Sequence, residues 1–213
     1  MAEIQGLTHL AFRGVLDSLE ENLGVNGKNA ILRYIGFESF ITNPPDYDGE
    51  KRMAPEDNKT VWMGVREIIG NNGYNSLLYR AGIFLINKVL SMSQPLQAVV
   101  ALEQEPIEKL KTIYSAYLYN IGLVPEQDLE IHTDKNLIVI HRAQCNECEY
   151  VIKNPENLKG IMRPGCAFVQ GGVFQVGNLR QDLYKVTSVS EETCRLLGAD
   201  ECLFHAKYEL IKK

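Results

Sequence analysis

The sequence predicts an α+β domain, with N-terminal helices packed on a C-terminal antiparallel sheet, and three observations predict it. Apolar residues recur at helical spacing through the first two-thirds of the chain, they alternate with period two after Pro125, and no cysteine occurs before Cys145. At 213 residues and 45% hydrophobic, the chain can bury one substantial core. A single domain, 1–213, is therefore expected, mainly helical over 1–124 and built of a sheet plus a cysteine-bearing helix over 125–213.

Thr8 is placed to cap a helix whose Leu10, Phe12, Val15, Leu16 and Leu19 recur at helical spacing, and Gly24 with the Asn26-Gly27 turn closes it. A second short helix is expected over 28–35. Residues 42–58, with Pro44-Pro45, Asp48-Gly49 and many charges, read either as a long exposed loop or as a lid or binding element. From 61 to 102 the spacing is helical again. Val61, Val65, Ile68 and Ile69 share a face, and 74–90 forms a long helix in which Gly82 admits another backbone.

Glu105-Pro106 opens a helix that aligns Ile107, Leu110, Ile113, Tyr114, Tyr117 and Leu118. Leu129 and Ile131, then Leu137, Val139 and His141, alternate across Asp134-Lys135-Asn136 as a β-hairpin does. Pro164-Gly165 introduces a buried helix over 166–179, where Gly171, Gly172 and Gly177 permit close packing. Strands follow at about 184–192 and 201–210, joined around Gly198-Ala199-Asp200. No internal repeat stands out.

A formal net charge of −5 offers no clustered cation for phosphate backbones, so direct nucleic-acid binding is not expected. No run of about 18 apolar residues is present to span a membrane, and the N-terminus lacks a secretory pattern. Five cysteines are too few for a disulfide scaffold in a chain of this size. A cytoplasmic protein with free thiols is expected.

Cys194 and Cys202 bracket a span short enough to return the chain on itself, which sets both sulfurs at one hairpin mouth. Glu191 lies three residues before Cys194, so in an unbroken strand the two face opposite sides, and joint ligation requires a bulge or a turn. Cys166, at the start of the preceding helix, supplies a third sulfur whose thiolate the helix N-terminus favours. Three thiolates and one carboxylate suit a structural zinc ion. The alternative is that these cysteines are buried as small apolar residues. Cys145 and Cys148 form a Cys-x-x-Cys pair that can complete a zinc site with Cys194 and Cys202, act as an oxidisable dithiol, or line a cavity.

The run Cys166-Ala167-Phe168-Val169-Gln170-Gly171-Gly172, followed by residues 191–204 with Glu191, Cys194, Gly198, Asp200, Cys202 and Phe204, resembles the 4-vinyl reductase domain family. The resemblance spans roughly 147–208. It implies a fold related to TRAPP-complex transport subunits, the ligand-binding fold of NO signalling and Golgi transport, with a cavity for small hydrophobic molecules. It also implies zinc ligands at Cys166, Glu191, Cys194 and Cys202, and a ligand pocket near His141, Cys145, Cys148, Tyr150, Gln170 and Phe174. Cys145 and Cys148 stand where sensor members carry aromatic or polar pocket residues.

Phosphate loops and dinucleotide fingerprints are missing, and no serine stands in a nucleophile elbow. Of four scattered histidines, only His141 falls in the pocket strand. Trp62 reads as core or as a cover for the cavity. The expected function is a zinc-braced module that binds a small apolar or aromatic molecule as sensor or carrier, more a binding domain than an enzyme. Two alternatives remain open. One is an enzyme or accessory of tetrapyrrole metabolism using Cys145 and Cys148. The other is a homodimeric scaffold subunit that pairs through the Tyr114, Tyr117 and Tyr119 helix.

Overall fold

The computed structural model describes residues 8–120, 124–143 and 164–211, and for Pro55, Asn58, Lys59, Trp62, Asn120, Pro164 and Gly165 the backbone alone. By its contacts the chain divides into two compact units, residues 1–85 with 146–168 and residues 86–145 with 169–213.

The first unit is helical. Thr8 caps helix α1 (His9–Tyr34), its hydroxyl oxygen accepting from the Ala11 amide at 3.1 Å. Gly24 does not end the helix; it breaks it at φ 71° and ψ 170°, a conformation open essentially to glycine, and helix resumes at once. A one-turn helix, α2 (Ser39–Thr42), precedes α3 (Pro55–Met92), which Gly70 breaks in the same way at φ 71° and ψ 172°.

These matched breaks expose an internal repeat that the sequence alone had hidden. Laid on one another, Gly24/Gly70, Asn26/Asn72, Gly27/Gly73, Asn29/Asn75, Leu32/Leu78 and Gly36/Gly82 coincide. Burial follows the same register. Val15 and Val61, Leu19 and Val65, Ile31 and Leu77, and Leu32 and Leu78 are all core residues. Contacts between the copies run in both directions. Tyr34 of the first copy bonds Glu67 of the second, and Arg80, which occupies the place of Tyr34, donates to Asn22, beside the counterpart of Glu67. The copies differ at their ends, since Gly36 closes α1 at φ 79° while Gly82 continues as helix.

Residues 43–54 form a strap fixed to α1. The His9 and Leu10 amides donate to the Lys51 and Asp48 carbonyls, each at 2.8 Å, and Met53 enters the core. Tyr47 donates to Asp17, whose other oxygen accepts from Arg13 Nε at 3.0 Å, and Arg13 Nη1 donates to the Pro45 carbonyl at 3.3 Å.

The second unit holds the carboxyl end of α3, then α4 (Gln94–Ala101), α5 (Pro106–Asn120), α6 (Pro125–Asp128), β1 (Leu129–His132), β2 (Leu137–Arg142), most of α7 (Pro164–Val176), β3 (Tyr184–Thr193) and β4 (Cys202–Leu210). The strands form one antiparallel sheet in the order β1-β2-β4-β3. Alternation sends Ile138, Ile140, Phe204, Ala206 and Tyr208 inward, all buried. Tyr114 of α5 donates to the Val173 carbonyl of α7 at 2.8 Å, and the Asn178 side chain, just past α7, bonds both backbone groups of Val186 on β3 at 3.2 Å. Gly177 is obligatory here, because a Cβ would stand 2.2 Å from Val186. The fold class is thus the expected one, helices with a four-stranded antiparallel sheet.

Candidate functional site

Glu191, Cys194 and Cys202, expected metal ligands, stand where β3 turns into β4. Glu191 pairs with Phe204 and Thr193 with Leu203, so a bulge between them supplies the change of facing that Glu191 and Cys194 require. The two side chains are hydrogen-bonded to each other. Cys194 then opens a single 3₁₀ turn, Arg195–Leu197, closed by Gly198 at φ 91°, and the Arg195 amide points at Cys202 Sγ at 3.5 Å. Cys194 and Cys202 are each 1% exposed. Burial, and after it the nearby carboxylate of Glu191 and the Cys202 thiol, push the Cys194 thiol up from its ordinary range, so it is protonated at neutral pH. Cys166 is buried near the start of α7 and belongs to the first unit.

A second cluster lies on the outward face of the sheet. Glu130 and His132, two apart on β1, share this face with His141 across β2. His132 Nε2 lies 2.8 Å and His141 Nε2 3.3 Å from the two oxygens of Glu130, and His141 Nδ1 lies 3.1 Å from Glu201. His205 Nδ1 is 3.7 Å from Glu192. Every sheet histidine therefore stands beside a carboxylate on the wetter face. Of the other expected pocket residues, Gln170 and Phe174 are half-buried one turn apart on α7. Cys145, Cys148 and Tyr150 lie outside the described residues, and of Trp62 only its backbone place in α3 is described.

Sequence reasoning missed Lys109. Its side chain is fully buried, and Nζ donates to the carbonyls of Val99 at 2.5 Å and Leu102 at 2.6 Å, capping the carboxyl end of α4. Arg180 Nη1 donates to the intervening Val100 carbonyl at 3.1 Å while Asp182 holds its other nitrogens at 2.8 Å. Burial, then the charge of Arg180, lower the Lys109 pKa. Its place between Glu108 and Leu110 in an amphipathic helix was the available signal, because a lysine on the buried stripe must find acceptors.

An α+β fold, helices with a four-stranded antiparallel sheet, is the class these features define. No family model and no curated protein matches the sequence. The fold is that of solved H-NOX proteins. One from S. oneidensis in the Fe(II)NO state shares 18% identity over 97% of this chain and 100% of that chain at a TM-score of 0.60. A histidine-to-glycine variant of an H-NOX domain from Shewanella oneidensis in the Fe(II)CO state shares 17% over 98% and 99% at 0.59. An oxygen-binding H-NOX domain related to soluble guanylate cyclases shares 11% over 94% and 93% at 0.54.

These findings correct two expectations. The resemblance to the 4-vinyl reductase domain family does not hold: the neighbours in structure are H-NOX domains. Its motif describes a cysteine-flanked β-turn after a glycine-bearing helix, a local geometry that carries no kinship by itself. The expectation of structural zinc is overturned too, since the neighbours are described by iron and heme. Among the described residues no single helix is long and apolar enough to cross a membrane.

Proposed function

We propose that the chain is a small-molecule sensor domain in which none of the described histidines ligates iron. The observation that carries the reading is the likeness, over 97% of the chain, to an H-NOX protein described in an Fe(II)NO state. Small-ligand binding is what we carry over from it.

Heme is the group those neighbours imply, and the described histidines do not fit it. An iron porphyrin takes an axial His, Cys thiolate, Met or Tyr. His132 and His205 face outward beside glutamates, His141 is flanked by Glu130 and Glu201, and His9 starts α1 close to Asp48 of the strap. Tyr114 is committed as a donor to the Val173 carbonyl. Met53 is committed to the core of the first unit, while Met63 and Met92 are 41% and 54% exposed.

Gln170 and Phe174 are the residues we propose to meet the ligand, one polar anchor beside one apolar wall. The Glu191, Cys194 and Cys202 corner is proposed to brace the β3–β4 turn through the hydrogen bonds it makes. A thermal-shift series with small apolar and aromatic compounds tests the reading. A ligand at a hundred times its Kd adds about 2.7 kcal/mol, and Phe174→Ala should weaken its binding roughly tenfold, the loss of about 1.4 kcal/mol. A melting temperature that no compound raises contradicts it.

A further inference from the structure

We infer that Glu130, His132 and His141 form a binding site for a divalent transition-metal cation of the copper–nickel class, and that Glu201 positions His141 within it. The inference is independent of which small molecule the domain binds.

His141 stands between two carboxylates. Its Nδ1 lies 3.1 Å from Glu201 Oε1, and its Nε2 lies 3.3 Å from Glu130 Oε1. A carboxylate only accepts, so in the neutral ring Nδ1 donates its hydrogen to Glu201 and Nε2 is left with its lone pair. That nitrogen is buried and makes no hydrogen bond, although the Glu130 oxygen is close by. Two lone pairs thus face each other at an atom closed to water, and a cation between them removes the conflict.

A proton would serve one nitrogen, but Glu130 meets two. Its other oxygen is 2.8 Å from His132 Nε2, so one carboxylate is bracketed by two imidazoles. Imidazole nitrogens and carboxylate oxygens stand about 2.0–2.2 Å from such an ion, which sets neighbouring ligand atoms about 2.9–3.4 Å apart. The observed 2.8 and 3.3 Å separations match that spacing. Closing both nitrogens on one ion takes a rotation of the His132 and Glu130 side chains, which are 38% and 52% exposed on the edge strand β1. His141 is fixed instead from its far side. A carboxylate on the second ring nitrogen is the usual partner of a metal-bound histidine, because it sets the tautomer and the ring orientation.

Strand register assembles the donors. Glu130 and His132 are two apart on β1, and their pairing with Val139 and Leu137 brings His141 of β2 to the same face. Glu201 comes from the turn before β4, next to Cys202, which pairs with Arg142. Two nitrogens and a carboxylate without sulfur suit Cu(II) or Ni(II), which stand high in the affinity order of divalent metals. A bound ion clips β1, only four residues long, to β2. His205, the remaining histidine of this face, lies beside Glu192 on β4, which β2 separates from β1.

The test titrates Ni(II) alone into the reduced full chain, free of any purification tag, followed by calorimetry and absorbance. One equivalent should bind without a thiolate-to-metal charge-transfer band. His132→Ala and Glu130→Gln, both exposed substitutions, should each weaken binding roughly tenfold or more, and His205→Ala should leave it unchanged. Glu201→Ala should weaken it by about 10–100-fold, and Glu201→Gln, which still accepts from Nδ1, should restore most of that loss. Nickel should also slow hydrogen exchange over residues 129–132. Equal affinity in the parent and His132→Ala would overturn the inference. So would a charge-transfer band, because the cysteines would then hold the ion, and so would an absence of binding heat at millimolar nickel.

Discussion

Gly24 and Gly70 break two long helices with the same backbone turn, φ 71° with ψ 170° and φ 71° with ψ 172°. An L-residue is strained there whatever the space, and no atom lies within 4 Å of a Cβ built at either. The cost of alanine is therefore conformational, about 1–3 kcal/mol at each site. Urea unfolding of Gly24→Ala and Gly70→Ala should show equal losses. Gly14→Ala, helical and 3.5 Å from its nearest neighbour, should gain up to about 1 kcal/mol instead. Unequal losses at the paired glycines would count against the repeat.

Lys109→Met keeps the buried stem and removes the charge that caps α4. Two carbonyls lose their donor, at about 1–3 kcal/mol each if water does not replace it. Hydrogen exchange should accelerate over 94–102 more than over the sheet. Uniform acceleration would mean that Lys109 supports the whole unit and not this helix.

The strap depends on Asp17, which accepts from both Tyr47 and Arg13. Asp17→Ala should loosen residues 43–54 and cost about 1.5–3 kcal/mol, the range for hydrogen bonds to a charged group. Limited proteolysis should cut first within the strap in the variant and not in the parent.

Burial holds Tyr117 at about 12, above the ordinary phenol value. A raised pKa of this kind contributes stability that is present in full below about 10 and is lost as pH rises through 12. Between those limits the parent should lose stability faster than Tyr117→Phe, by up to about 1.4 kcal/mol per pH unit. Urea midpoints together with phenolate absorbance check the slope. Identical slopes would place Tyr117 in water.

Much of the fold was legible because its signals are local. Leu137, Val139 and His141 alternate across a turn that Asn136 closes at φ 50°, and Thr8 caps α1 as a threonine before an apolar helical run should. The bulge that Glu191 and Cys194 needed was stated as a geometric condition and is present. The repeat was missed, since Lys28/Tyr74, Arg33/Tyr79 and Ile35/Ala81 differ in size and charge, and the identical pairs stand out only once the matched glycine breaks set the register. His141 was read by strand alone. Its two glutamates come from β1 and from the turn before β4, far apart in sequence, and spacing cannot show which face they share.

The most direct test of the proposal that none of the described histidines ligates iron is a titration of the reduced protein with hemin, followed in the Soret region before and after nitric oxide. The donor geometry predicts the spectrum of unligated or adventitiously bound hemin, the same in the parent and in variants of His9, His132, His141 and His205. A sharp, shifted band that saturates at one equivalent and disappears in a single histidine variant would contradict it.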